Sequence, residues 1–363
     1  MKLIKVLVLF GGPSSEHEVS LMSTDSVLKQ IDKKKFEVIP VGITPEGLFQ
    51  MYEKQNQIQA GTWKGFEQPR FEYGAHRKAI TLIPGEPSLM IHHQDHSEKL
   101  AVDVALPILH GPYGEDGVLQ GLLEACQIPY VGAGVMTSAL AMDKAMTKKL
   151  FETEKISQTP YQVVYLESKT PVDTNVLEVL EQSLNYPMFV KPARLGSSVG
   201  ISKASNRLEL ETALRKAAGH DRKVVVEAFV DGREIECAVL GHHRHPKTAL
   251  PAEIIPSREF YDYEDKYLAG KSDFEIPAKL STKDTETVQE LAIQVYQLLE
   301  CKGLARVDFF LDRKTGGWLV NEINTMPGFT KISMYPKMWE ASGIAYGELI
   351  SILIEEALEH WKE

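Results

Sequence analysis

The chain has 363 residues, enough for two or three domains and a sizeable core, and its 43% hydrophobic and 25% charged residues exclude a disordered or fibrous protein. A formal net charge of −10 argues against general affinity for nucleic acid or an anionic membrane, so any anionic ligand must be met by a few local cations. Cys126, Cys237 and Cys301 are odd in number and too scattered for a disulfide framework or a zinc spacing, which fits a reducing, cytoplasmic setting.

The opening apolar run, residues 3–10, is interrupted by Lys5, is too short for a signal segment and ends at Gly11-Gly12-Pro13. It reads as a buried parallel strand. No apolar run approaches the roughly 18 residues needed to span a bilayer. Ser15 and Glu18 have the spacing of a capping box, predicting a helix from there to about Lys29. Residues 36–43 form the next strand and close a βαβ unit, 102–109 another buried strand, and 117–126 another helix. This alternation predicts an open α/β sheet with ligands at the carboxyl ends of its strands. Residues 50–100, rich in Gln, His, Pro and Gly with weak periodicity, read as an insertion or elaborated surface. A helix through Met142-Asp143-Lys144 follows, then a linker to Pro160 and strands at 162–165, 184–191, 223–227 and 234–240. The last third holds an aromatic and charged loop at 260–267, a helix at 282–299, a hairpin at 306–324 and a terminal helix. There is no internal repeat, and the expected partition is three α/β lobes, 1–125, 126–230 and 231–363.

Four constellations carry chemistry. In the hairpin, centring the turn on Thr315 places Asp308 opposite Glu322 and Arg306 opposite Asn324, all on one face because side chains alternate. Opposed carboxylates destabilise a sheet unless a cation joins them, and two carboxylates with an amide oxygen suit Mg²⁺. The alternative is a solvated face of screened acids, and a slip of one residue would separate the pair. Next, an apolar strand delivers Lys191 into a loop with Gly196, Ser197, Ser198 and Gly200, a point charge followed by backbone donors that would cradle phosphate. It is not a Walker loop, since no Lys follows the second glycine, and a plain Gly-Ser turn is the alternative. Third, Glu234 and Glu236 share a strand face near Glu227, suiting ribose hydroxyls and an exocyclic amine, or else merely protecting a sheet edge. Last, Glu16 and His110 each follow a buried strand and face one site mouth. With Glu18 assigned to the capping box, Glu16 is available to meet an ammonium group. Gly11-Gly12 lacks the third glycine of a dinucleotide fingerprint.

The ordered segments GGPSSEHEVS, HGPYGEDGVLQG, MDK, FVKPARLGSSVGISK, EAFVDGREIECAVLG, FYDYEDKY, RVDFF and NEINTMPGFT resemble the D-alanine–D-alanine ligase family of the ATP-grasp superfamily, over nearly the whole chain except about residues 50–100. The resemblance implies a three-lobed ATP-grasp architecture, an N-terminal open parallel-sheet domain plus two α+β lobes enclosing ATP. It implies ligation of two D-alanines through a D-alanyl phosphate, with release of ADP and phosphate, for peptidoglycan precursor synthesis. For ATP it implies Lys144 and Lys191 at the phosphates, Lys266 among the residues that bind ATP, and Ser197–Ser198 in the covering loop. Glu227, Ala228 and Val230 would meet adenine, Glu234 the ribose, and Phe260 and Phe310 the two faces of the base. Asp308, Glu322 and Asn324 would hold two Mg²⁺ ions, with Mn²⁺ able to substitute. Glu16 would hold the first ammonium with His110 nearby, and Ser333 the second carboxylate. Arg306 and the Gly328 N–H would face the oxyanion, while Ser197 and Tyr267 tie a lid to Glu16. Tyr267 also implies D-alanine rather than D-lactate as acceptor, because depsipeptide-forming relatives lack that tyrosine. The expected partners are D-alanine, ATP and a second copy of the chain in a homodimer, with no nucleic acid or membrane. The competing readings are a D-lactate, D-serine or other ATP-grasp ligase, an NAD-dependent oxidoreductase, and a non-catalytic nucleotide-binding module.

Overall fold

The computed structural model describes residues 2–52, 77–168, 170–255 and 273–361. Strands β1 (Ile4–Gly11) and β2 (Phe36–Ile43) flank helix α1 (His17–Gln30) and run parallel, Ile4 opposite Phe36 through Gly11 opposite Ile43. Val6 to Phe10 are wholly buried, as expected of a strand covered on both faces and both edges. The Ser15–Glu18 capping box does not form. Glu16 occupies the N-cap position without a side-chain cap bond, and Ser14 instead accepts the Glu16 N–H at 2.9 Å.

The region read as an elaborated surface continues this sheet instead. Strands β3 (Phe49–Tyr52), β4 (Arg77–Leu82), β5 (Ser88–His92) and β6 (Ser97–Ala101) add antiparallel to β2, giving the order β6-β5-β4-β3-β2-β1-β7. Ile80, Leu82, Leu89 and Ile91 bury against Leu9 and Val41. These strands are short and their apolar residues do not alternate cleanly, as in Leu89-Met90-Ile91, which leaves little periodicity to read. The N-terminal sheet is therefore mixed rather than purely parallel. Strand β7 (Val104–Ile108) runs parallel to β1 on its far edge.

Helices α2 (Val118–Ala125), α3 (Val135–Met142) and α4 (Lys144–Thr153) follow. The helix expected through Met142-Asp143-Lys144 is broken there, because Asp143 takes an extended backbone and caps α4 by accepting from Met146 N. Strand β8 (Tyr161–Tyr165), helix α5 (Thr174–Ser183), strands β9 (Met188–Pro192) and β10 (Ser202–Ala204), helix α6 (Arg207–Ala218) and strand β11 (Lys223–Ala228) form the second unit. Its antiparallel sheet has the order β10-β9-β11-β8. Leu180 of α5 and Leu210 and Leu214 of α6 cover Val190, Val224 and Val226. Period two then turns Lys191 and Glu227 to the opposite face.

The third sheet repeats this logic. It comprises β12 (Gly232–Leu240), β13 (Lys247–Thr248), β14 (Ala252–Ile255) and β15 (Asp273–Glu275), then β16 (Leu304–Asp312) and β17 (Trp318–Asn324), in the order β15-β14-β12-β16-β17 with β13 on β12. Helix α7 (Thr282–Leu298) buries Ile235, Cys237, Val307 and Phe309 with its Val288, Ala292, Val295 and Tyr296. Glu234, Glu236, Arg306, Asp308 and Phe310 are the alternate residues and take the other face. The chain ends in two helices where one was expected, α8 (Met334–Ala341) and α9 (Tyr346–Glu359), separated at Gly343 with φ +93°. Helix α9 packs Leu349, Ile350 and Leu353 against Val6, Val8 and Val104, closing one face of the first sheet.

Candidate active site

The β1 and β7 strand ends form the first wall. Ser14 donates to the His110 carbonyl at 2.7 Å, joining the loops that follow the two strands. Glu16 is buried, 6% exposed, and its carboxylate accepts from the Ser197 hydroxyl across the chain. A Cβ on Gly111 would lie 2.4 Å from Glu16 Oε2 and collide with it, and one on Gly196, at 3.1 Å, would crowd the carboxylate. Beside it, Glu115 accepts the Gly111 N–H at 2.8 Å, and burial together with the Glu16 charge pushes its carboxyl well above the ordinary range. Glu115 was not singled out from sequence, because it lay among three polar residues of one loop with nothing to mark it.

The second sheet supplies a buried charge cluster. Glu227 of β11 lies between two lysines, 3.1 Å from Lys148 Nζ and 2.6 Å from Lys191 Nζ. Burial alone would raise its pKa, but the two ammonium groups outweigh that and hold it down at about 2. Lys148 is lowered from its ordinary value by burial and by the Lys191 charge, in spite of Glu227. Lys191 also reaches Asn321 Oδ1 at 3.3 Å. Lys148 is the principal residue that sequence reading missed. It sits on α4 one turn after Lys144, and only the fold shows which of Lys144, Lys148 and Lys149 turn inward. Lys144 itself donates to the Leu195 carbonyl at 2.7 Å and lies 3.7 Å from Glu322, at the base of the Gly196–Gly200 loop. Ser197 and Ser198 both take left-handed backbone, φ +46° and +59°. Such a conformation turns successive N–H groups to one side and is a setting for an anion.

The hairpin forms the third wall. Arg306 pairs across from Asn324, and Asp308 across from Glu322, as the sequence pattern predicts. The turn is not centred on Thr315, however. A bulge between Asp308 and Phe309 shifts the register, so that Phe309 opposes Val320 and Leu311 opposes Trp318. The extra residue, Asn321, is the one that meets Lys191. Arg306 grips Asp308 with two bonds of 2.7 Å and lies 3.2 Å from Glu236, which opposes Asp308 from β12. Burial works against the Arg306 charge, yet Asp308 and Glu236 more than compensate and hold it firmly ionised. Glu234 is paired with Phe310 on the same face. Beyond β17, Ser333 accepts from Thr330 N at 2.9 Å and lies so near Gly328 that a Cβ there would meet its Oγ at 2.8 Å.

These three walls enclose one cavity of about 290 Å³. Glu16, His110, Lys144, Lys191, Ser197, Ser198, Glu227, Ala228, Val230, Glu234, Arg306, Asp308, Phe310, Glu322, Asn324, Gly328 and Ser333 all line it. Phe260, Lys266 and Tyr267 lie outside the described residues. Among the described residues no group of three or more His, Cys, Asp or Glu could hold a metal ion; the hairpin offers two carboxylates, Asp308 and Glu322, and the amide oxygen of Asn324.

A cleft between two antiparallel sheets, with lysines on one wall and an acidic hairpin on the other, is the architecture of an ATP-grasp enzyme, and solved structures of that kind superpose on the whole chain. Residues 5–133 match the family model described as D-ala D-ala ligase N-terminus, and residues 150–355 the one described as D-ala D-ala ligase C-terminus. The chain therefore belongs to the D-alanine–D-alanine ligase family. It is 46% identical to the D-alanine–D-alanine ligase of Thermoanaerobacter sp. (strain X514), covering 100% of this chain and 99% of that one. It is 47% identical to the D-alanine–D-alanine ligase of Clostridium novyi over 98% of each. Among solved structures, VanG D-Ala:D-Ser ligase from Enterococcus faecalis matches with TM-score 0.86 and 34% identity, covering 98% of this chain and 100% of that one. The D-alanine–D-alanine ligase of Coxiella burnetii matches with TM-score 0.84 and 34% identity, covering 99% and 95%.

Proposed function

We propose that this chain joins two D-alanines at the expense of ATP, forming D-alanyl-D-alanine for peptidoglycan precursors, and that the cavity residues divide the work as follows. Glu16 takes the ammonium of the first D-alanine, with Ser197 holding the phosphate loop against it and His110 at its side. Lys144 and Lys191 meet the phosphates under the loop carrying Ser198. Glu227, Ala228 and Val230 take the adenine, Glu234 the ribose, and Phe310 one face of the base; the roles the resemblance gives Phe260, Lys266 and Tyr267 fall outside the described residues. The first carboxylate attacks the γ-phosphorus as the β,γ P–O bond breaks and ADP leaves, giving the D-alanyl phosphate, and the lysines offset the repulsion between the two anions. The amine of the second D-alanine, its carboxylate on Ser333, then attacks the acyl carbon. Arg306 and the Gly328 N–H face the oxygen that becomes negative, and phosphate departs. Closure excludes the water that would otherwise hydrolyse the acyl phosphate.

The observation that carries this reading is the Glu16–Ser197 bond, which ties the phosphate loop of one sheet to an anion at the strand ends of another. The hairpin donors suit magnesium: Asp308 and Glu322 are directly opposed, Asn324 is on the same face, and all three offer hard oxygens into the cavity. Two Mg²⁺ ions there, or Mn²⁺ in their place, would neutralise charge developing on the transferred phosphoryl group. A three-lobe division is supported by the three separate sheets, its second boundary near residue 230 falling between β11 and β12, while Ile128 and Tyr130 still pack in the first core and carry the first boundary a little past 125. A homodimer is supported by exposed Val118 and Met136 on the neighbouring helices α2 and α3, and light scattering tests it. A cytoplasmic setting is supported by three buried free thiols, and no helix among the described residues is long and apolar enough to cross a membrane.

The activity is tested by phosphate release from ATP and Mg²⁺ with D-alanine, L-alanine or neither. Release and a dipeptide product with D-alanine alone are expected. Release indifferent to D-alanine would defeat the proposal.

A further inference from the structure

The stretch from Met326 to Phe329 carries Gly328; its first carbonyl is held by the His110 imidazole, and its last N–H by Ser23, which is bonded in turn to the same imidazole. His110 Nδ1 is 3.1 Å from the carbonyl of Met326, two residues before Gly328. A carbonyl can only accept, so the proton is on Nδ1 and Nε2 carries the lone pair. Nε2 is 3.1 Å from Ser23 Oγ, which must therefore donate to it. The same Ser23 oxygen accepts from the N–H of Phe329, one residue after Gly328, at 3.4 Å. A continuous chain thus runs from Phe329 N–H to Ser23, from Ser23 to His110, and from His110 to Met326 O. Ser23 is wholly buried on α1, and His110 is 4% exposed, so water does not compete for these bonds. Both ring nitrogens are already used, and the ring's polar atoms are turned to protein partners rather than left to hold substrate.

We propose that Ser23 and His110 are positioning residues whose hydrogen bonds bracket Gly328 and set the direction of its N–H. The proposal rests on the reading of Gly328 as an oxyanion donor, because that role gives the bracket its consequence for rate. A donor that serves a transition state is worth most when its direction is fixed before the reaction. Glu16 and the first-sheet strand ends would thereby be coupled to the oxyanion site, since Ser14 holds the carbonyl of the same His110.

Ser23→Ala removes one hydroxyl and both bonds it makes. Three measurements are needed: hydrogen exchange over residues 325–329, the ¹⁵N signals of His110 assigned by comparison with His110→Gln, and kinetics with a phosphinate dipeptide analogue as inhibitor. The wild type should show His110 protonated on Nδ1 with Nε2 hydrogen-bonded. In Ser23→Ala the Nε2 signal should shift, exchange over 325–329 should rise, and kcat should fall by about tenfold, the effect of losing one hydrogen bond's worth of orientation. Phosphinate affinity should fall by a similar factor, while KM for ATP changes less than about twofold, since an interaction used only in the transition state leaves ground-state binding alone. Unchanged exchange over 325–329, or a wild-type imidazole protonated on Nε2, overturns the bracket. Faster exchange with unaltered kcat and phosphinate affinity keeps the bracket and removes Gly328 from the oxyanion role. Should Ser23→Ala be too unstable to purify, the wild-type tautomer decides.

Discussion

Glu227→Gln is the most informative perturbation of this structure because it leaves the shape of the cluster intact and removes only its negative charge. Glu227 is 3% exposed and contacts Lys148 and Lys191, themselves 2% and 11% exposed at the side chain. Its carboxyl drops from an ordinary 4.5 to about 2 on folding. Near neutral pH that difference contributes ~3 kcal/mol, the work the two lysines do on the ionised carboxylate beyond its cost of burial. The sign is that of a depressed acid. The contribution is complete above pH 4.5 and disappears as pH falls from there to about 2. Replacing the carboxylate by an amide leaves two ammonium groups facing each other in a dry interior, and removing one partner of a buried pair costs about 3–5 kcal/mol. Glu227→Gln should therefore lose ~3 kcal/mol in urea unfolding at pH 7, and its stability should fall less steeply than the wild type's between pH 5 and 3, since only the Glu227 contribution is removed. Adding Lys148→Met should restore part of the loss, because it removes one of the two uncompensated cations. The reasoning fails if Glu227→Gln lies within about 1 kcal/mol of the wild type, or if the double variant is less stable than the single one.

Gly111→Ala, at φ +74° with a Cβ 2.4 Å from Glu16 Oε2, should displace that carboxylate. KM for D-alanine should then rise at least about tenfold while ATP binding, followed by fluorescence of a labelled nucleotide, holds. Asp221→Ala should cost about 1–3 kcal/mol in thermal unfolding, because it strands the Arg194 and Lys223 N–H groups that its carboxylate accepts at 3.1 and 3.0 Å. Since Arg194 holds that carboxyl below its ordinary range against the effect of burial, the wild type should lose this support only as pH drops below about 4. Glu322→Gln should abolish Mg²⁺-dependent turnover yet leave metal-free stability within about 0.5 kcal/mol. Relief of the repulsion from Asp308 is offset by loss of the Lys144 contact at 3.7 Å. A clear gain in metal-free stability would show that Arg306 and Lys144 do not compensate the pair.

Local rules made much of this molecule legible in advance. The continuous apolar run ending at Gly11-Gly12 could be little other than a buried parallel strand. Alternation along 304–312 and 318–324 put Asp308 and Glu322 on one face only for a turn centred on Thr315; with the turn where it is, the Asn321 bulge is what brings the two carboxylates opposite each other. Resemblance of the eight ordered segments added the roles that no single segment carries. Other features lay beyond reach because they are consequences of packing. Strands β3 to β6 are short and their apolar residues do not alternate cleanly, and they become strands because an existing sheet edge offers them partners. Asn321 is the bulged residue and meets Lys191 from another sheet at 3.3 Å, which no count along the hairpin reveals. Lys148 looks like one more helix lysine until α4 is laid against β11. Its charge is then buried because Glu227 is there to receive it. The strand periods and turn residues of the sequence determined which side chains share a face, since alternation is a property of the backbone alone. Which faces meet, and so which charges must be buried together, was decided only when three sheets closed on one cavity, because burial and Coulomb energy depend on distances between segments far apart in the chain.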